Sequence, residues 1–414
     1  MIPLCFPAST PIIYPLRFSP ISNSLPLRYT GTCAICCGVS NALYSQISTH
    51  LCRTIGKVKK TEKVPPLLNH SSRFQPMILI CPRCKADVRL ESTAYVCEAC
   101  AATYPIIAGI PDFRVYPDPY IDLESDRAKG QRLADDAARM GLDFAGLVRR
   151  YYAITPEVTP DQAERFTAHH LAGLRRGDGI IARLDAYGLL VGETTLDLGC
   201  GTGGFLAALA QRGHAVVGVD IAFRWLIVAQ ARLHELGLEN RVTLVCACAD
   251  HLPFKDESFA LVTAENLLEH AANAAAVIDE AARVLSIGGG FMGRTVNRFA
   301  PGPEPHVNLW GIGLLPRRMQ RRVVERIKGV PYHISLLSWF EVRSILRRSP
   351  TAANWQVTLP RLMPDDIAHQ SAVLRWLFTL YASLARIALL RPLITFFAPY
   401  LDIVGWHRRE RYGS

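Results

Sequence analysis

Acidic residues are nearly missing from the first 76 positions, where Glu62 stands alone against eight Lys and Arg and nine Pro. No apolar core follows a charged start there, which excludes a secretory signal of the usual form. The prolines break the amphipathic helix that an organellar leader would need. Residues 1–76 are therefore expected to be a disordered or spurious extension, with an organellar leader as the other reading. Met77, followed at once by Ile78-Leu79-Ile80-Cys81, is the expected start of the folded part. Long hydrophobic runs are also lacking. In the most apolar stretch, Arg375 to Trp406, the uncharged runs reach only ten residues each, 376–385 and 392–401. A spanning helix needs about 20, so no transmembrane segment is expected. An evenly spread cysteine framework is absent too. Of 12 cysteines, five lie before residue 53, four between 81 and 100, and three at 200, 246 and 248. That clumping fits a reducing, cytoplasmic setting better than disulfides. Finally, the net charge of +10 hides a body without basic excess: residues 77–315 carry 22 basic and 29 acidic side chains, and residues 316–414 carry 16 and 6. A polynucleotide enzyme more often shows a basic face beside its active site.

What is present begins with Thr195-Leu196-Asp197-Leu198-Gly199-Cys200-Gly201-Thr202-Gly203-Gly204. An apolar run ends in a carboxylate and passes into a glycine-dense turn, as where a buried strand hands over to a helix beside a nucleotide-sized crevice. His214 to Asp220 reads as a second buried strand ending in a carboxylate, 23 residues after Asp197. That spacing suits two ribose hydroxyls. Cys246-Ala247-Cys248-Ala249-Asp250-His251 follows, then Phe259 to Ala264 as a further strand, then Arg283 to Gly290, a helix end punctuated by glycine and a strand. The expected fold class is α/β, a Rossmann-like doubly wound sheet. A nicotinamide dehydrogenase is the competing reading, but G-x-G-x-G-G lacks the spacing for a pyrophosphate on the helix N-terminus.

Over residues 180 to 300 these motifs, in this order, resemble the class I S-adenosylmethionine-dependent methyltransferases, most closely the type 11 group. The resemblance implies S-adenosylmethionine as cofactor. Asp197, Gly199, Cys200, Gly201 and Gly203 would line its methionine end, Asp220 would bind its ribose, and Asp250 and His251 would flank its adenine, with Ile221 also among the implied cofactor-binding residues. Glu265, at the end of the fourth strand, completes the implied set. One departure is visible: Ala260 stands where the group usually has Asp.

Cys81-Pro82-Arg83-Cys84 and Cys97-Glu98-Ala99-Cys100 form C-x2-C-x12-C-x2-C. Two such turns offer four thiolates, the donor set of a tetrahedral structural zinc. With the tail Thr103 to Phe113, this region resembles the small zinc ribbons that activate tRNA and release-factor methyltransferases, which implies a structural or docking role. A zinc module also precedes the same enzyme fold in the guanine-N1 methyltransferase of large-subunit ribosomal RNA, and that parallel keeps RNA among the readings.

The expected layout is thus an extension (1–76), a zinc ribbon (77–117), a helical connector and lid (118–178), the methyltransferase domain (179–362) and an apolar, basic helical segment (363–414). Since ligands sit at the carboxyl ends of the strands, Glu269 and His270, just past the fourth strand, and His306, in the loop after the fifth, are the candidate catalytic residues. His270 as a cap of the following helix is the structural alternative. The reading is methyl transfer to a small or lipid-like acceptor, in the latter case with residues 375–406 lying on a membrane surface. An RNA base methyltransferase and a non-catalytic cofactor-binding protein are the alternatives.

Overall fold

The two C-x-x-C segments fold into the same local structure. The Cys81 carbonyl accepts from Lys85 N–H at 2.9 Å and the Cys97 carbonyl from Ala101 N–H at 3.0 Å. Lys85 and Ala101, each four residues after its first cysteine, are left-handed at φ 61° and 57°. Between and after these turns run β1 (Val88–Glu91), β2 (Ala94–Cys97), β3 (Thr103–Ile107) and β4 (Ile110–Pro111), a four-stranded antiparallel sheet in chain order. The computed structural model describes residues 79–189, 194–300, 302–361, 372–387 and 389–407. The N-terminal extension expected at 1–76 lies outside the described residues.

Four helices follow: α1 (Leu123–Met140), α2 (Phe144–Ala153), α3 (Pro160–Leu171) and α4 (Gly173–Tyr187). Their ends are written in the sequence. Asp122 caps α1 through Ser125 N–H and Gly141 closes it at φ 61°, Asp143 caps α2, and Thr159 with Gln162 forms a capping box on α3. The expected boundary at 178/179 falls inside α4.

Next come β5 (Thr194–Leu198), α5 (Gly204–Gln211), β6 (Ala215–Asp220), α6 (Phe223–Glu235), β7 (Val242–Cys246), β8 (Phe259–Glu265), α7 (Ala274–Val284) and β9 (Leu285–Val296). A short hairpin, β10 (Pro303–Glu304) with β11 (Leu309–Trp310), precedes α8 (Arg317–Lys328), α9 (Trp339–Arg348), β12 (Gln356–Thr358), α10 (Ala372–Leu384), α11 (Arg391–Phe396) and β13 (Tyr400–Trp406). The large sheet runs β12-β13-β9-β8-β5-β6-β7. Strands β5 to β9 are parallel, and β13 is antiparallel to both of its neighbours. The chain enters at β5, winds outward through β6 and β7, then crosses to β8 on the other side. A crevice opens at that reversal, above the carboxyl ends of β5 and β8.

One expectation is corrected here. The sequence pattern predicts a helical segment over 363–414, yet residues 400–406 form β13, an interior strand of the sheet. Its Asp402 is buried and takes a two-pronged ion pair from Arg294, at 2.7 and 3.0 Å, and a bond from Tyr187 Oη at 3.1 Å. That part of 375–406 is held by the protein core and cannot lie in a bilayer surface. Trp376, Leu389 and Leu393 nearby are exposed. Among the described residues, no helix is long and apolar enough to cross a membrane.

Candidate active site

The turn after β5 is built by glycines in conformations that side chains avoid: Gly199, Gly201 and Gly203 have φ of 74°, 50° and 70°. They differ in what surrounds them. A Cβ on Gly199 would approach Leu267 to 3.1 Å and one on Gly203 would approach Ala229 to 3.1 Å, whereas one on Gly201 would meet nothing within 4 Å. Gly201 is thus where the turn faces open space. Its N–H donates to Asp220 Oδ2 at 2.8 Å, and Ala222 N–H donates to Oδ1 at 2.8 Å. Asp220 is held between the two loops, with lone pairs left over for hydroxyl donors. Burial raises it to about 6 against the pull of those amides. Ile221 follows it and accepts from Arg114 at 3.0 Å through its carbonyl. The Cys200 side chain is buried under the turn, where a Cβ on Gly218 would come within 2.9 Å of its sulfur.

Asp197, next to last in β5, lies beneath this turn and accepts from Thr263 Oγ1 at 2.8 Å. Burial, with Glu265 and Asp220 nearby, pushes it up to about 8 despite the Thr263 bond. At pH 7 it is therefore mostly protonated. If Asp197 receives the ammonium of an amino-acid cofactor, it must ionise on binding. Affinity is then expected to rise with pH toward about 8, with proton release near pH 7. Calorimetry in buffers of different ionisation enthalpy measures that release, and none would refute the assignment. Glu265 ends β8, paired with Arg183 at 2.5 Å through Oε2, while its buried Oε1 has no partner among the described residues.

Asp250 and His251 sit beyond β7, where the small module's tail meets the large sheet. Phe113 N–H donates to the Cys246 carbonyl at 2.7 Å, so the tail adds a short parallel bridge outside β7. Arg114, fully buried, joins Asp112 and Asp126, both at 2.7 Å. Tyr116 Oη donates to Asp250 Oδ1, which His251 Nδ1 also approaches at 3.1 Å. Neither Arg114 nor Tyr116 was anticipated from sequence. A basic residue and a phenol in a polar tail carry no periodic signal.

The four cysteine sulfurs of Cys81, Cys84, Cys97 and Cys100 lie within 4.8 Å of one another. Burial pushes the Cys81 thiol up, but the Tyr104 hydroxyl and the Cys84 and Arg83 backbone outweigh it and hold it at about 6. The Ala86 and Ala102 backbone would lower Cys84 and Cys100, yet their neighbouring thiols raise both.

Across the crevice, Glu269, His270 and His306 converge, their nearest donor atoms within 4.8 Å of one another. His270 Nε2 and His306 Nε2 are 3.1 Å apart. His306 Nδ1 is bonded to Glu304, a residue that sequence reasoning missed. Burial and the charge of His306 lower His270 to about 4. Burial would lower His306 as well, but the Glu304 bond and charge reverse this and raise it. Glu269 is fully buried. Its Oε2 accepts from Thr295 at 2.8 Å, and its Oε1 has no partner among the described residues. Asn273, not His270, caps α7.

Residues 196–292 match the family described as methyltransferase domain. A ubiquinone biosynthesis O-methyltransferase of Paracidovorax citrulli is 33% identical over 160 residues, covering 38% of this chain and 61% of the relative. The methyltransferase GfsG of Streptomyces halstedii is 39% identical over 119 residues, 28% of this chain and 42% of the relative. The chain thus covers less than two thirds of these relatives. Among solved structures, phosphoethanolamine N-methyltransferase 2 of Haemonchus contortus in complex with S-adenosyl-L-methionine aligns at a TM-score of 0.38 and 19% identity, over 56% of this chain and 53% of that one. The matched segment supplies both halves of the crevice, from Asp197 to Glu269. His306 and Glu304 come from the loop that follows it.

Proposed function

We propose that the chain transfers a methyl group from S-adenosylmethionine to a hydroxyl oxygen of a small acceptor. The supporting observation is the glycine turn that opens at Gly201, with Asp220 fixed beside it, at the reversal of a methyltransferase-domain sheet. The residues suit the cofactor. Asp220 retains acceptor capacity for ribose hydroxyls, Asp250 keeps Oδ2 for the adenine amino group, and Asp197 and Glu265 offer carboxylates to the methionine end. When bound, the cofactor supplies a methyl group on a cationic sulfur. The chain's part is to hold the acceptor in line with it, where alignment contributes up to about 7 to 11 kcal/mol, and to take the hydroxyl proton, worth about 10² to 10⁴-fold. His270, neutral at pH 7, faces the crevice and suits that second task. An oxygen acceptor is favoured because several relatives are named O-methyltransferases.

Four convergent sulfurs on two matching turns fit one tetrahedral Zn²⁺, and we assign Cys81, Cys84, Cys97 and Cys100 to it. The module's tail packs against the cofactor side of the sheet, which favours bracing the domain over docking RNA.

With methyl-labelled cofactor and a panel of small phenols and alcohols, label is expected in O-methyl products. Cofactor binding without transfer to small-molecule, lipid or RNA fractions would leave a binding protein instead.

A further inference from the structure

The imidazoles of His270 and His306 present Nε2 to Nε2 at 3.1 Å. His306 donates its Nδ1 proton to Glu304, whose second oxygen is fixed by the backbone N–H groups of His306 and Val307 at 3.0 and 2.9 Å. A histidine whose Nδ1–H is tied to a carboxylate presents its Nε2 lone pair outward, the arrangement found around metal-ligating histidines. Two imidazole nitrogens on one ion, each at about 2.1 Å, stand about 3.0 to 3.4 Å apart. The observed separation falls in that interval. The third group is Glu269. Its carboxylate is fully buried, one oxygen satisfied by Thr295 and the other without a partner among the described residues. A buried carboxylate oxygen left unpaired is costly, and a cation shared with the two histidines would satisfy it. Glu269 is on the protein side, while His270 and His306 border solvent, so the ion's remaining positions would face the crevice.

We propose that Glu269, His270 and His306 bind one divalent first-row cation whose open positions hold the oxygen of the methyl acceptor. Two imidazoles and one carboxylate suit such metals and leave coordination sites free. The inference rests on the methyl-transfer reading and narrows its substrate to an acceptor whose hydroxyl can ligate a metal. With its Nε2 lone pair on the ion, His270 no longer serves as the base; the cation lowers the pKa of a bound hydroxyl instead. Its proton leaves to solvent, the oxygen lone pair forms the new C–O bond, and the S–CH₃ bond breaks with its electrons kept by sulfur. Glu304 acts through His306 and is a positioning residue.

The test is titration with Co²⁺ of the full chain carrying a single equivalent of zinc, held by the four thiolates, followed by calorimetry and by visible absorption. One equivalent is expected to bind beyond the cysteine site, with weak d–d bands and no thiolate charge-transfer band. His306→Ala and Glu269→Gln should each weaken it at least tenfold, and Glu304→Gln about tenfold or more, as loss of an outer partner does. No such equivalent, or one with unchanged affinity in the folded His306→Ala protein, overturns the site. The cofactor is bound elsewhere, so its affinity in the same variants should stay unchanged. O-methylation at full rate by His306→Ala without cobalt would reject the cation and leave the methyl-transfer reading standing. Cobalt binding as described, with no turnover on any acceptor, would support the site and count against that reading.

Discussion

If the four cysteines hold zinc as proposed, a Cys81→Ser/Cys97→Ser protein is expected to lose it and, with it, most of its cofactor affinity. In small zinc modules the metal's binding energy is folding energy, about 10 to 16 kcal/mol, comparable to the whole stability of a typical domain, about 5 to 15 kcal/mol. The β1–β4 sheet is too small to replace that from its own core. Its aromatic centre is Tyr104 stacked on Phe113 at 4.7 Å, with Tyr95 at 5.3 Å. The second effect follows from the tail. Phe113 is bonded to β7, Arg114 ties Asp112 and Asp126 to the Ile221 carbonyl, and Tyr116 holds Asp250. Unfolding the module releases all three at the cofactor edge. Metal analysis, a melting curve and calorimetric cofactor binding measure the two effects. Zinc content of one in the variant would place the metal elsewhere, and unchanged cofactor affinity would show that the module is not a brace.

Asp220→Ala should weaken S-adenosylmethionine binding at least tenfold. It removes the ribose acceptor and also the clamp that joins Gly201 N–H to Ala222 N–H. Asp220→Asn separates the two. The amide keeps an oxygen for one backbone donor, so the turn is partly held, while the charge is gone. Both affinities are read by calorimetry on protein whose circular dichroism matches the parent. Equal affinity of Asp220→Ala and the parent chain would remove Asp220 from the site.

The parallel half of the sheet was legible because its cues are local. Buried runs end in Asp197, Asp220 and Glu265, and glycines mark the turns that need positive φ. The cysteine cluster was legible because two C-x-x-C turns repeat. Strand β13 was not. Its apolar residues lie between prolines and charges, and a short run buried on both faces cannot be told from a buried helix by period. Its partner, β9, is a hundred residues earlier in the chain. The His270–His306 contact was hidden for the same reason: each residue stood out singly, but 36 positions separate them. Glu304 gave no signal apart from a place near His306. Glu269 was marked as a candidate base, and only the fold reveals that it is sealed from water.

The interior place of β13 bears on how the protein is made. Among the described residues, six strands of the large sheet leave the ribosome before it, and β12, already synthesised, has no other strand to pair with. Until residues 400–406 emerge, the outer edge of β9 is a long bare row of amides and carbonyls, the kind of edge that recruits other chains. A nascent chain stalled before Tyr400 would hold a complete glycine turn and a complete cysteine module, and still be prone to aggregate. The same holds for nonsense alleles late in the gene: losing β13 would cost solubility before it cost any residue of the crevice.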